Sequence, residues 1–289
     1  MPYIRTFVLT FLAMMAFAGN SLLCRAALAH TDVDAATFTS IRLISGALVL
    51  WLIVHVRHSS GTRLGATTGA GNWPSAIALF VYAAGFSFSY ISLSTGTGAL
   101  LLFGAVQATM IGYSLWLGER LRKLQILGLI LAFLGLTVLM LPGLFAPPLY
   151  GAILMLGAGV AWGIYSLRGK TGGDATRVTA GNFLRTVPIA LVMSVLMMGS
   201  FSIDRAGFLY AVGSGALASG VGYAIWYTAL PALKATSAAT VQLSVPVIAA
   251  IAGIVLLSEP LTLRLVLSSI AILGGIALFI VQRKPLKLR

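Results

Sequence analysis

The chain has 289 residues, 59% of them hydrophobic and 9% charged, with a mean hydropathy of +0.99 and a formal charge of +13. Soluble domains carry about 25% charged residues, so this composition excludes an ordinary cytosolic enzyme, and its short clusters of Lys and Arg exclude a nucleic-acid-binding or disordered chain. Cys24 is the single cysteine, which excludes an intrachain disulfide and a Cys-ligated zinc site.

A helix needs about 20 apolar residues to cross the hydrocarbon core, and ten stretches qualify. The first, 4–28, outruns the short apolar core of a signal peptide and no convincing cleavage site follows, so it is expected to be a retained helix. Asn20 lies near its middle. The second, 33–56, carries Arg42, and the third, 73–94, carries Tyr82, Phe86, Phe88 and Tyr90, with Tyr82 and Phe86 spaced to share one helical face. The fourth, 97–117, has Gln107 among apolar neighbours and runs into a turn at Gly118-Glu119. In the fifth, 121–141, Ile126 to Leu141 is apolar almost throughout, which excludes the alternating strands of a β-barrel. Its small residues Gly128, Ala132 and Gly135 mark a packing face, answered by Ser268 and Gly275 in the tenth stretch.

The sixth, 149–169, presents Trp162 and Tyr165. The seventh, 177–199, holds Arg185 and Pro188. Tyr223, Trp226 and Tyr227 fall in the eighth, 206–230, whereas Gln242 and Pro246 fall in the ninth, 236–257, which ends in a turn at Ser258-Glu259 before the tenth, 261–282.

With both termini on the cytoplasmic side, fourteen of the nineteen Lys and Arg residues fall inside, as the positive-inside rule requires. Shifting the chain by about 140 residues lays Leu117-Gly118-Glu119-Arg120-Leu121 over Leu257-Ser258-Glu259-Pro260-Leu261 and Gly135 over Gly275. Slightly different offsets lay Arg42 over Arg185, Gly85–Leu93 over Gly222–Leu230, and Phe17-Ala18 over Trp162-Gly163. Five spans per half is an odd number, so the second half enters the membrane from the opposite side. That inverted-topology arrangement is characteristic of secondary transporters.

Ten helices in two five-helix repeats, 1–143 and 147–289, with Trp162-Gly163 opening the second repeat and the Gly118-Glu119 and Ser258-Glu259 turns, resemble the EamA-type branch of the drug/metabolite transporter superfamily. Within it the chain is most similar to bacterial aromatic amino acid exporters. The resemblance implies an all-α integral protein of the bacterial inner membrane that exports amino acids. The first repeat departs from the pattern at Phe17-Ala18, and has Val106 where the second has Pro246.

Polar and aromatic side chains at membrane depth are the candidate site, since each needs a partner or a watery cavity. Asn20, Gln107 and Gln242 can donate and accept hydrogen bonds to an amino acid, or join helices. Tyr82, Phe86, Trp162, Tyr165 and Tyr223 form a wall for an apolar side chain, or core. Arg42 and Arg185 attract a carboxylate or anchor helix ends, and Pro188 and Pro246 are hinges or static kinks. Glu119 and Glu259 are expected to be structural caps of the helices that follow them.

None of the six acids and three histidines falls mid-span, so neither an intramembrane enzyme nor a buried proton relay is expected. The reading is an exporter of aromatic and other neutral amino acids, by alternating access without an obligatory proton step. Its partners are a small-molecule substrate and the lipid bilayer, with no nucleic acid, cofactor or metal, and a monomer suffices. The alternative is a proton-coupled exporter of aromatic drugs or other small metabolites.

Overall fold

The computed structural model describes residues 2–59, 70–118, 121–143, 146–169, 174–233 and 235–281, and these are all-helical. The helices are α1 (Pro2–His30), α2 (Ala35–Ser59), α3 (Trp73–Tyr90), α4 (Thr95–Trp116), α5 (Lys123–Met140), α6 (Leu149–Arg168), α7 (Ala175–Leu196), α8 (Arg205–Val212), α9 (Gly222–Ala229), α10 (Ala235–Gln242), α11 (Ser244–Leu257) and α12 (Leu263–Val281). A π-helical stretch, Gly213–Val221, joins α8 to α9 into one rod, and α10 and α11 form another with a break at Leu243. Each of the ten apolar stretches therefore holds helix. Nine of the described rods are long and apolar enough to cross a membrane. The exception is α3, whose 18 residues include buried Ser75, Tyr82, Ser87, Ser89 and Tyr90.

Asp and Asn side chains cap the starts of several helices. Asn72 accepts from the Ser75 amide, Asp174 from those of Thr176 and Arg177, and Asp204 from that of Gly207. Asp34 does more. One of its oxygens accepts from the amides of Ala36 and Thr37 at 2.9 Å each, and the other from the amide of Ser202 at 3.1 Å, while its own amide donates to the Ser202 carbonyl. The start of α2 is thereby tied to the strap before α8. Burial pushes this carboxyl up, but the hydrogen bonds from Thr37, Ser202 and Ala36 outweigh it and hold the group below the usual carboxylate value.

The helices pair mostly across the two halves of the chain: α5 with α12, α2 with α7, α3 and α4 with α6, and α1 with α9 and α11. The most extensive seam, α5 against α12, is the one expected from the small residues. A Cβ on Gly128 would lie 2.5 Å from the Gly275 carbonyl, and one on Gly275 2.8 Å from the Ala132 amide, so these backbones touch. Gly163 admits Thr109 of α4 in the same way, with only 2.7 Å to the Thr109 Cβ. Outward faces are apolar, with Leu127, Phe133 and Leu134 on α5 and Val192, Val195 and Leu196 on α7 exposed to what is lipid in a membrane.

Gly275→Leu is expected to separate α5 from α12 at a cost of about 1–3 kcal/mol, read as a lowered melting temperature in detergent, whereas Gly274→Leu, on open space, leaves it unchanged. The lowered carboxyl of Asp34 binds fewer protons folded than unfolded. Its contribution is present above the ordinary carboxylate pKa and fades as pH falls through the lowered value. Between the ordinary carboxylate pKa and the lowered value, the pH dependence of melting should be shallower in Asp34→Asn than in the parent.

Candidate functional site

A narrow space with an empty volume of about 420 Å³ lies between α1, α3, α4, α6, the π-helical stretch, α9 and the end of α10. Its walls are Phe17, Asn20, Ser21, Tyr82, Phe86, Leu102, Phe103, Trp162, Ala218, Tyr223 and Gln242, none of them charged. Six of the residues singled out from sequence meet here: Asn20, Tyr82, Phe86, Trp162, Tyr223 and Gln242. Trp162 is the hub of the rings. Its centroid is 4.7 Å from Tyr82, 5.3 Å from Tyr223 and 5.2 Å from Tyr165, separations at which aromatic pairs attract beyond their burial. Phe17 closes the ring wall at 5.6 Å from Tyr223.

One side of the cavity is polar. Ser214, in the π-helical stretch, donates to Asn20 Oδ1 at 2.6 Å, Asn20 Nδ2 donates to the Tyr82 hydroxyl at 3.4 Å, and Arg42 Nη2 donates to the same hydroxyl at 3.1 Å. Arg42 is 2% exposed. Its guanidinium carbon stands 4.8 Å from the Phe86 centroid and 5.4 Å from that of Tyr82, so two cavity rings cover the charge by cation–π attraction. No carboxylate pairs with it among the described residues. Buried in this way, it does not reach up to the membrane surface.

The other members separate. Arg185, its partner by sequence shift, donates to the carbonyls of Ala70 and Gly181 at 2.9 and 2.8 Å and anchors a helix start. Tyr165 faces a second space of about 330 Å³ with Asn72, Ser75, Arg168, Thr179, Asn182 and Tyr227. Its hydroxyl accepts from Asn182 Nδ2 and donates to Thr179 Oγ1. Gln107 is buried one turn beyond Phe103 and outside the central cavity's lining. Leu102 and Phe103 are ordinary apolar residues of an apolar stretch, and nothing in the sequence sets them apart. The shift that lays Phe17 over Trp162 could have found Phe17. Nothing in the sequence announces Ser214, because a π turn leaves no periodicity of its own.

The prolines behave differently. The ninth rod breaks at Leu243, three residues before Pro246, where the ring displaces the carbonyl of Gln242. Pro188 sits inside an unbroken α7.

Glu259 is a cap, but not of the helix that follows it. Ser258 takes a left-handed conformation, φ 54°, which turns Glu259 back over Gly253, where any Cβ would overlap its carboxylate. Both carboxylate oxygens then accept from the Thr95 amide at 2.9 Å, and Oε1 also accepts from Thr95 Oγ1 at 3.0 Å, so the acid caps α4. Arg25 pairs with it at 3.5 Å and donates to the carbonyls of Tyr90 and Ile91. Thr262 caps α12 instead. The matching role expected of Glu119 lies outside the described residues.

Residues 149–281 match the EamA-like transporter family. The chain is 56% identical to an uncharacterized protein of Pseudomonas aeruginosa over 98% of its own length and 97% of the other's. An uncharacterized transporter of Archaeoglobus fulgidus is 30% identical over 71% of this chain and 74% of its own. The threonine/homoserine exporter RhtA of Salmonella typhimurium is 30% identical over 53% of this chain and 54% of its own.

Glu259→Gln removes the ion pair and weakens the α4 cap, and is expected to cost about 1 kcal/mol. In a double-mutant cycle with Arg25→Gln the two losses should fall short of additive, measured by thermal melting.

Proposed function

This chain belongs to the EamA-like transporter family, and we propose that it exports aromatic and other neutral amino acids across a bacterial inner membrane. The observation that carries this reading is the central cavity. Its lining combines hydrogen-bonding groups, from Asn20, Tyr82 and Gln242, with rings, from Phe17, Phe86, Trp162 and Tyr223. A zwitterion with an apolar side chain matches both kinds of group at once. The partial likeness to a threonine/homoserine exporter supports the same substrate class.

Alternating access is the mechanism. Ten helices, with α3 as the third, form two inverted repeats with both termini cytoplasmic, and a single chain encloses the path. Support comes from the reciprocal pairing of the helices. Rods two and seven pack on each other, as do five and ten, while the first-half helices α3 and α4 meet α6 and the second-half helices α9 and α11 meet α1. Phe17 and Trp162, matched by the sequence shift, both pack on Tyr223. The break before Pro246 and the π-helical stretch are the places where a rod bends as the rings part. The Arg25–Glu259 clasp joins the ninth rod's turn to α1, α3 and α4, and breaks when that end opens.

No acid or histidine lines the cavity, so flux follows the substrate gradient without an obligatory proton step. Flux into proteoliposomes of labelled phenylalanine, threonine and a quaternary ammonium dye, with and without a pH gradient, tests this. Saturable amino acid flux indifferent to the pH gradient is expected, reduced at least tenfold by Asn20→Leu and kept by Gln107→Leu. Dye flux that requires the gradient, with amino acids inert, would overturn it.

A further inference from the structure

The Asn20–Tyr82 edge of the central cavity presents donors, whereas Gln242, whose NH2 group donates to the Ala238 carbonyl, brings an acceptor oxygen to another part of the lining. The Ser214 to Asn20 separation of 2.6 Å suits O–H···O and is short for N–H···O, so the amide oxygen of Asn20 faces Ser214 and its NH2 group faces Tyr82. The Tyr82 hydroxyl has two lone pairs and one proton. It accepts from Asn20 Nδ2 and from Arg42 Nη2, and neither of those groups can accept in return. The proton of Tyr82 must therefore serve an acceptor other than these two partners. Tyr82 and Asn20 both line the cavity, and the second N–H of the Asn20 amide is also a donor.

Behind this pair stands a whole positive charge. Arg42 is buried, has no acidic partner among the described residues, and its Nη1 is without a hydrogen-bond partner. A guanidinium at membrane depth with an unused donor and no counter-ion is costly. Its field is felt in the cavity through the Tyr82 hydroxyl, which it makes a stronger donor. The rings it lies against, Tyr82 and Phe86, cover the charge without neutralising it.

We propose that Tyr82 and Asn20, polarised by Arg42, form a carboxylate-binding pole, so that the transported molecule must carry an anionic acceptor group. Arg42 acts as a positioning residue, and Tyr82 and Asn20 touch the substrate. The proposal rests on the central cavity being the substrate site and narrows that reading. Recognition is fixed by the carboxylate, while the ring wall admits varied side chains and meets an ammonium group only by cation–π attraction.

Equilibrium binding to the purified full chain in lipid nanodiscs separates the two claims, with four labelled compounds sharing a phenyl ring: phenylalanine, 3-phenylpropionate, phenylalaninamide and phenethylamine. The two acids are expected to bind at least tenfold more tightly than the amide and the amine. Tyr82→Phe keeps the ring and loses only the hydroxyl. It should weaken the acids about tenfold and leave the amide unchanged, with an unaltered melting temperature as the control for folding. Arg42→Lys, which keeps the charge, should retain more acid binding than Arg42→Met. Equal affinity for acid and amide, or acid binding indifferent to Tyr82→Phe, would overturn the carboxylate pole. If phenylpropionate binds through Tyr82 and phenylalanine does not, the pole stands and the amino acid reading falls. No binding by any of the four overturns both.

Discussion

The constraint on which the structure depends is that hydrocarbon offers no hydrogen bonds, so every polar group inside the bundle is matched by another part of the chain or by what the protein carries. Most are matched within the chain. Arg185 is spent on two carbonyls, Arg25 on two carbonyls and a carboxylate, and Glu259 on the first amide and hydroxyl of α4. Among these charged groups Arg42 stands apart, since its charge meets rings and one hydroxyl. The contrast between two arginines at places matched by the sequence shift marks out the cavity proposed to bind substrate more sharply than any motif does.

Differences between the two halves of the chain have local causes. Val106 leaves α4 continuous where Pro246 breaks the ninth rod, because only proline both lacks the amide and crowds the preceding turn. Trp162 in place of Phe17 gives the second half the larger ring, and Gly163 beside it lets α6 settle against Thr109 so that the indole reaches both Tyr82 and Tyr223. The π-helical stretch exists only in the second half among the described residues. There Gly215 lies against the backbone of Arg42, and Ser214 reaches Asn20.

Much of the site was legible one residue at a time. Asn20, Tyr82, Phe86, Trp162, Tyr223 and Gln242 are conspicuous because polar and aromatic side chains stand out in apolar stretches, and all six line one cavity. Gln107 and Tyr165 are equally conspicuous and do not, since depth along a helix says nothing of which neighbour the side chain faces. Glu259 was legible as a cap, but the helix it caps is distant in the chain by 164 positions. A local rule for caps assigns the nearest helix, and the left-handed turn at Ser258 redirects the carboxylate.

By itself the sequence determined the membrane, the apolar rods and their ends, the small-residue seam between α5 and α12, and the absence of acids from the span interiors. These follow from composition and period, which act within a few turns of a helix. The tertiary structure alone decided that Arg42 lies buried against Tyr82 and Phe86, that Asn20 is oriented by Ser214, and that Tyr82 is left with a proton to give. Those facts depend on which faces meet when rods from opposite halves pack. That choice is made by the joint fit of many small contacts, none of which leaves a pattern in one stretch of chain.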